Sequence, residues 1–158
     1  MSTSGNNLGT DTQFSVFLAN KPGVLARVVQ RLAENRINIV ALSMMDSTEH
    51  GVLRVVVEDA ARARSALASL DLPRTEQTVL LAALPNRPGA LADVLERLAA
   101  GHVNVHYAYC TTGATGGKTL GVFKVDNLQK AVQLLGERRP RRKPEAPTVR
   151  ANGRARRK

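Results

Sequence analysis

Two tetrapeptides, Asn20-Lys-Pro-Gly23 and Asn86-Arg-Pro-Gly89, carry the residue types most suited to chemistry. In each, Pro sets φ and Gly frees the backbone, so a tight turn feeds the apolar run behind it. A turn entering a helix presents backbone N–H groups, which hold a carboxylate well. The glycine lets a ligand approach the main chain closely. Asn38 and Asn104 follow the two turns at equal spacing. Their amides both donate and accept, which suits a zwitterion. The candidate contacts are Asn20, Lys21, Pro22, Gly23, Val24, Leu25 and Asn38, and in the second set Asn86, Arg87, Pro88, Gly89, Ala90, Leu91 and Asn104. Plainer roles are open to the same residues. Pro-Gly after Asn builds any tight turn before a helix, and an asparagine at a strand start also satisfies turn backbone.

Other candidates carry less. Gly113-Ala-Thr-Gly-Gly-Lys118-Thr119 looks like a phosphate-binding loop, but the pattern needs glycine at 112, which is Thr112, and a helix after the lysine. A strand is expected there instead, so the segment reads as a hairpin loop. His50, His102 and His106 share no metal-ligand spacing, and Cys110 is the only cysteine. Tyr107, Tyr109 and Cys110 lie on one expected strand and read as core or interface packing, with a pocket lining as the lesser alternative. Asp46, Glu49, Glu58 and Asp59 fall at strand ends, turns and a helix start, where capping or solvated carboxylates are normal. No nucleophile–base–acid group emerges, so no catalytic residue, metal or cofactor is assigned and the chain reads as a non-enzyme.

The elements that must position the two turns repeat as well. NKPGVLARVVQRLAENRINIVALS lies over NRPGALADVLERLAAGHVNVHYAY at an offset of 66, with 10 of 24 positions identical. Chance gives on the order of two, so duplication is the reading. In the first copy, Phe14–Leu18 is a strand rich in β-formers. Val24, Leu25, Val28, Val29 and Leu32 recur at helical spacing, and Asn35 and Arg36 end that helix. Ile37–Leu42 and Val52–Val57 read as strands. Asp59 caps a helix over Ala60–Leu70, Pro73 breaks it, and Thr75–Leu84 returns to strand. The second copy predicts a helix over Gly89–Ala100, strands over Val103–Thr111 and Thr119–Val125, and a helix over Asn127–Leu135 with Asp126 and Asn127 as its cap. The order is βαββαβ, a ferredoxin-like α+β arrangement whose antiparallel sheet carries both helices on one face. Asn38 and Asn104 are expected next to their turns.

N-x-P-G-x-L, an amphipathic helix, and then Ile37-Asn-Ile39 or Val103-Asn-Val105 make the sequence similar to the ACT domain family, over about residues 13–136. In layout it resembles the stand-alone ACT pairs. The resemblance implies regulation by an amino acid or similar small metabolite bound at interfaces between ACT domains. It also implies that the loop asparagines (Asn20, Asn86) and the second-strand asparagines (Asn38, Asn104) contact the ligand.

The expected organisation is a flexible N-terminus at 1–12, ACT domains at 13–77 and 78–137, and a basic, disordered tail at 138–158. Residues 1–137 hold 13 Lys/Arg and 12 Asp/Glu, a net of +1, whereas 138–158 hold 10 Lys/Arg and one Glu, a net of +9. The overall +10 therefore belongs to the tail. The family pattern places a final strand where the tail stands, so the second copy is expected to lack it, leaving a sheet edge for the other copy or a partner to cover. An APTVRA edge strand at 146–151 is a minor alternative, and an aberrant terminus is another. Single domains of this size often gain stability by pairing, and a homodimer is expected. A lone cysteine and a polar start suit a cytoplasmic protein without a membrane span. Two further readings stay open: a detached regulatory subunit with a catalytic partner chain, and a nucleic-acid-associated regulator whose tail supplies salt-sensitive affinity.

Overall fold

Hydrophobic alternation and helical spacing become ten elements in the computed structural model, which describes residues 8–45, 50–114 and 118–136. They are β1 (Leu8–Ala19), α1 (Val24–Glu34), β2 (Ile39–Met45), β3 (His50–Val57), α2 (Ala60–Ala68), β4 (Arg74–Pro85), α3 (Ala90–Ala100), β5 (Val105–Ala114), β6 (Lys118–Val125) and α4 (Leu128–Gly136). Lys118 opens a strand, not a helix, as the hairpin reading of 113–119 requires. Residues 8–12, expected in the flexible N-terminus, are instead the first part of β1. The reason is pairing: Leu8 to Thr12 lie opposite Ala82 to Thr78 of β4.

The six strands form one sheet in the order β2-β3-β1-β4-β6-β5. At its centre β1 and β4 run antiparallel, with Thr12 opposite Thr78. Those two threonines are separated by the repeat period, so a pseudo-two-fold axis passes between them. It exchanges β1 with β4, β2 with β5 and β3 with β6. Each long central strand therefore serves both copies. The second half of β1 is the first strand of copy one, and its first half fills the last-strand position of copy two. The edge expected beside copy two is covered in this way, by the other copy. α4 packs on β1 as well as on β4.

The helices cover one face of the sheet. Under α1 and α2, Phe14, Val16, Leu18, Leu53, Val55 and Val57 meet Val28, Leu32, Ala63 and Leu67. Under α3 and α4, Leu80, Leu84, Phe123 and Val125 meet Leu98 and Ala131, with Leu8 packed against them. α1 and α3 end alike. Ile37 N–H reaches Leu32 O at 3.0 Å and Arg36 N–H reaches Ala33 O at 2.8 Å; Val103 and His102 repeat this at 2.9 Å each. This double bond pattern needs a left-handed residue just past the helix, and here it is Arg36 (φ 54°) and His102 (φ 52°).

No helix of the described residues covers the opposite face, yet Ala41, Val56, Val79 and Val122 are buried on it. The sheet curls, bringing its edge strands β2 and β5 within 8 Å of each other, Cα to Cα. Tyr107 and Tyr109 of β5 reach across the hollow to copy one. Gln13, wholly buried, donates to Tyr107 Oη at 2.7 Å and accepts from Tyr109 Oη at 3.0 Å. Tyr107 donates in turn to Gln77 Oε1 at 3.3 Å, and the Arg54 guanidinium lies 4.2 Å from the centre of its ring. At the positions of Tyr107 and Tyr109, copy one has Ala41 and Ser43. Large residues on β5 thus face small ones on β2, which lets the curl close.

Candidate functional site

Turn one and turn two are the same structure. Gly23 and Gly89 cap α1 and α3 from the left-handed region, φ 86° and 83°. Val24 N–H bonds Lys21 O and Ala90 N–H bonds Arg87 O, each at 3.3 Å, and Arg27 and Asp93 N–H return to the glycine carbonyls at 3.0 and 2.9 Å. Neither glycine supplies a side-chain cap. The first-turn amides therefore lack the acceptor that Ser, Asp or Asn would place there. An L-residue in that conformation is strained, which answers why glycine stands at both positions without invoking a ligand.

The second-strand asparagines do not join the turns. β2 is antiparallel to β3, and β3 to β1, so β2 runs the same way as β1. α1 carries the chain back along the sheet before β2 begins. Ile39 is opposite Val57, whose neighbour Val56 is opposite Gln13. Asn38, opposite Glu58, thus lies level with Asp11, about nine residues along β1 from Asn20, ~30 Å at roughly 3.3 Å per residue. The same holds between Asn104 and Asn86. The expectation that each asparagine sits next to its turn is therefore corrected. Asn38 Nδ2 donates to Glu58 Oε1 at 2.9 Å while its carbonyl accepts from Glu58 N–H at 3.1 Å. Asn104 N–H donates to Asp126 Oδ1 at 3.1 Å and its carbonyl accepts from Asp126 N–H at 3.1 Å. Each asparagine joins the start of one strand to the end of its neighbour.

Beside turn two opens a cavity of about 360 Å³. Leu8, Ala82, Leu84, Ala90, Val94 and Leu135 give it an apolar wall, and Arg87, Asp93 and Arg97 stand around it. Arg87 and Asp93 pair at 2.6 Å. Both side chains are substantially exposed, so the pair is worth roughly 1 kcal/mol or less. Arg97 donates to the Leu134 carbonyl.

Copy one is filled at the equivalent place. Leu70, 7% exposed, belongs to its core, and Leu72 packs against it. Phe17 N–H bonds Pro73 O at 2.9 Å, and Arg27 reaches Leu70 O at 3.3 Å. Where copy two has Ala82, Ala90 and Asp93, copy one has Val16, Val24 and Arg27. Past the β5–β6 hairpin the repeat offset becomes 68, shown by equivalent caps: Asp59 accepts from Arg62 N–H at 2.9 Å and Asn127 from Lys130 N–H at 3.0 Å. Leu70 and Leu72 then correspond to Arg138 and Pro140. Copy two carries no leucine there.

His50, His102 and His106 are exposed, and among the described residues no cluster of His, Cys, Asp and Glu could hold a metal ion. Asp46 and Glu49 lie outside the described residues, as do residues 115–117 of the 113–119 segment, the basic tail and its APTVRA stretch. No helix of the described residues is long and apolar enough to cross a membrane. The sequence reading missed Gln13, Gln77 and the cavity. One signal was present for β1: the strand read over Thr75–Leu84, shifted back by 66, falls on 9–18.

The sheet order and the repeated turn define a duplicated ferredoxin-like module of two βαββα units sharing their central strands. The chain belongs to the ACT domain pair family, whose model matches residues 9–139. ACT domains are regulatory modules. Protein BT0572 from Bacteroides thetaiotaomicron is similar at 34% identity and a TM-score of 0.75, over 83% of this chain and 90% of that one. The ligand-free regulatory subunit of aspartate kinase from Thermus thermophilus shares the fold at 16% identity and a TM-score of 0.61, over 81% and 95%. So does E. coli aspartokinase III in complex with lysine and aspartate, at 17% and 0.50, over 81% of this chain and 31% of that chain. No curated protein sequence matches.

Proposed function

We propose that the chain is a non-catalytic regulatory module that binds an amino acid or similar small metabolite at the turns of its two ACT domains, 13–77 and 78–137. The observation that carries this is the paired recurrence of a glycine-capped helix start whose first-turn amides have no side-chain cap. Such amides suit a carboxylate. Within one chain no small ligand spans both a turn and its second-strand asparagine. A homodimer that sets Asn38 or Asn104 of one chain against a turn of its partner would unite them, and we take that as the working assembly, in the cytoplasm where Cys110 stays reduced.

The test is a thermal-shift screen of the full chain against the twenty amino acids, with light scattering for the assembly. A selective, saturable rise in Tm is expected from one amino acid or a related group, reduced by Asn20→Ala or Asn86→Ala. A flat screen on folded protein sinks the reading. A second reading is a detached regulatory subunit with a separate catalytic chain. The Thermus thermophilus regulatory subunit, matched over 95% of its own length, supports it. Co-purification of a kinase or another biosynthetic enzyme from native extract would favour that reading. The nucleic-acid alternative rests on the tail's net +9; retention on DNA that survives deletion of 138–158 would dismiss it.

A further inference from the structure

The two copies present the same turn, and beside turn two the described residues leave a cavity with an aliphatic wall and a charged rim. We infer that this cavity is an aliphatic α-amino-acid site, so that the two copies are not equivalent sensors. The inference rests on the module reading above and gives it a ligand class and a copy.

Volume comes first. About 360 Å³ is at the small end of the range for small-molecule sites, roughly 300–1,000 Å³. A wall of Leu8, Leu84, Val94 and Leu135 favours a branched or linear aliphatic side chain. A hydrogen-bonding side chain would find few partners on that wall. The charges sort the polar end. Asp93 provides an acceptor for an ammonium group, and Arg87 and Arg97 provide guanidinium donors for a carboxylate. The exposed Arg87–Asp93 pair is already a cation and an anion 2.6 Å apart, and a zwitterion inserted between them would exchange one such pair for two. Copy one has Lys21, Arg27 and Arg31 at these positions, three cations and no acid. Its core fills the corresponding space with Leu70. It offers no counterpart of this cavity beside turn one.

The experiment is isothermal titration calorimetry of the full-length protein with leucine, isoleucine, valine and methionine, with lysine and serine as controls. The key variant carries Ala82→Val, Ala90→Val and Asp93→Arg. Copy one bears these same side chains in the equivalent frame, so the variant is expected to fold with an unchanged or higher Tm. A loss of at least tenfold in affinity for the aliphatic amino acids is expected. Asp93→Asn should weaken leucine while leaving 4-methylpentanoate, which lacks the ammonium group, little changed. Full affinity in the triple variant, or parallel losses for both compounds in Asp93→Asn, would overturn the cavity site while leaving the module reading standing. Preference for lysine or serine would also overturn it. Absence of binding by all six would overturn the cavity site, whereas the module reading falls only if the screen of all twenty amino acids is flat as well.

Discussion

At the scale of single residues, Arg36, Asp71 and His102 hold left-handed backbone among the described residues, and the first and last of them are equivalent points of the two copies. Arg36 and His102 hold φ near +50° because the terminal hydrogen bonds of α1 and α3 demand a left-handed residue there. A side chain in that region costs about 1–2 kcal/mol, partly offset in glycine by the freedom of its unfolded chain. Arg36→Gly and His102→Gly should each stabilise by about 0.5–1 kcal/mol, read as a higher urea midpoint. Tyr109 makes a different demand. Burial pushes its phenol well above the usual tyrosine range, the neighbouring Tyr107 adds to the shift and Arg54 opposes it. Below a pH of about 10 the phenol is protonated in both the folded and unfolded chains, and it contributes no slope. Above that, the unfolded chain gives up the proton first, so stability falls as pH rises. Urea melts between pH 9 and 11 should show this fall, and Tyr109→Phe should reduce it.

The elements show where local rules suffice. α2 and α4 start from Asp59 and Asn127, whose side chains accept from the third residue on. Replacing either with Ala should cost about 1 kcal/mol, measured by chemical denaturation. Asp126, named with Asn127 as a cap, instead accepts from Asn104 N–H across the strand ends. Its residue type fits both roles, and only the adjacency of β5 and β6 decides between them. The same caps reveal the two-residue change of offset after the second hairpin. Identities in the first half of the repeat say nothing about it.

For the whole molecule, the shared central strands are the main structural fact. β1 closes copy two as well as opening copy one, so the N-terminal strand supports a core built from residues more than 70 positions later. Deleting residues 1–12 should therefore destabilise copy two along with copy one. Lost ladder hydrogen bonds at ~1 kcal/mol each, plus the exposure of Leu8, put the cost at roughly 3 kcal/mol or more. Hydrogen exchange should show α3 and α4 losing protection. Unchanged protection of those two helices would contradict the shared-strand account.

Much of this was legible in the chain itself. The 66-residue period, the glycine turns, the helical apolar faces and the Asp59 cap are local or periodic features, and periodicity reports them directly. Less legible was the extent of β1, because Thr10, Asp11 and Thr12 become strand through pairing with β4 and not through any hydrophobic alternation of their own. The candidate site was legible only as two turns. Its separation from Asn38 and Asn104 follows from strand direction, which the spacing of residues does not encode. The Gln13–Tyr107–Tyr109 cluster joins residues 94 and 96 positions apart, and the cavity beside turn two depends on what fills the space between α3, α4 and β4. Sequence determined the repeat and its turns, since these rest on local backbone preference and period. Tertiary structure alone decided which strand covers copy two, which asparagine meets which acid and which copy keeps open volume, because each depends on packing between distant segments.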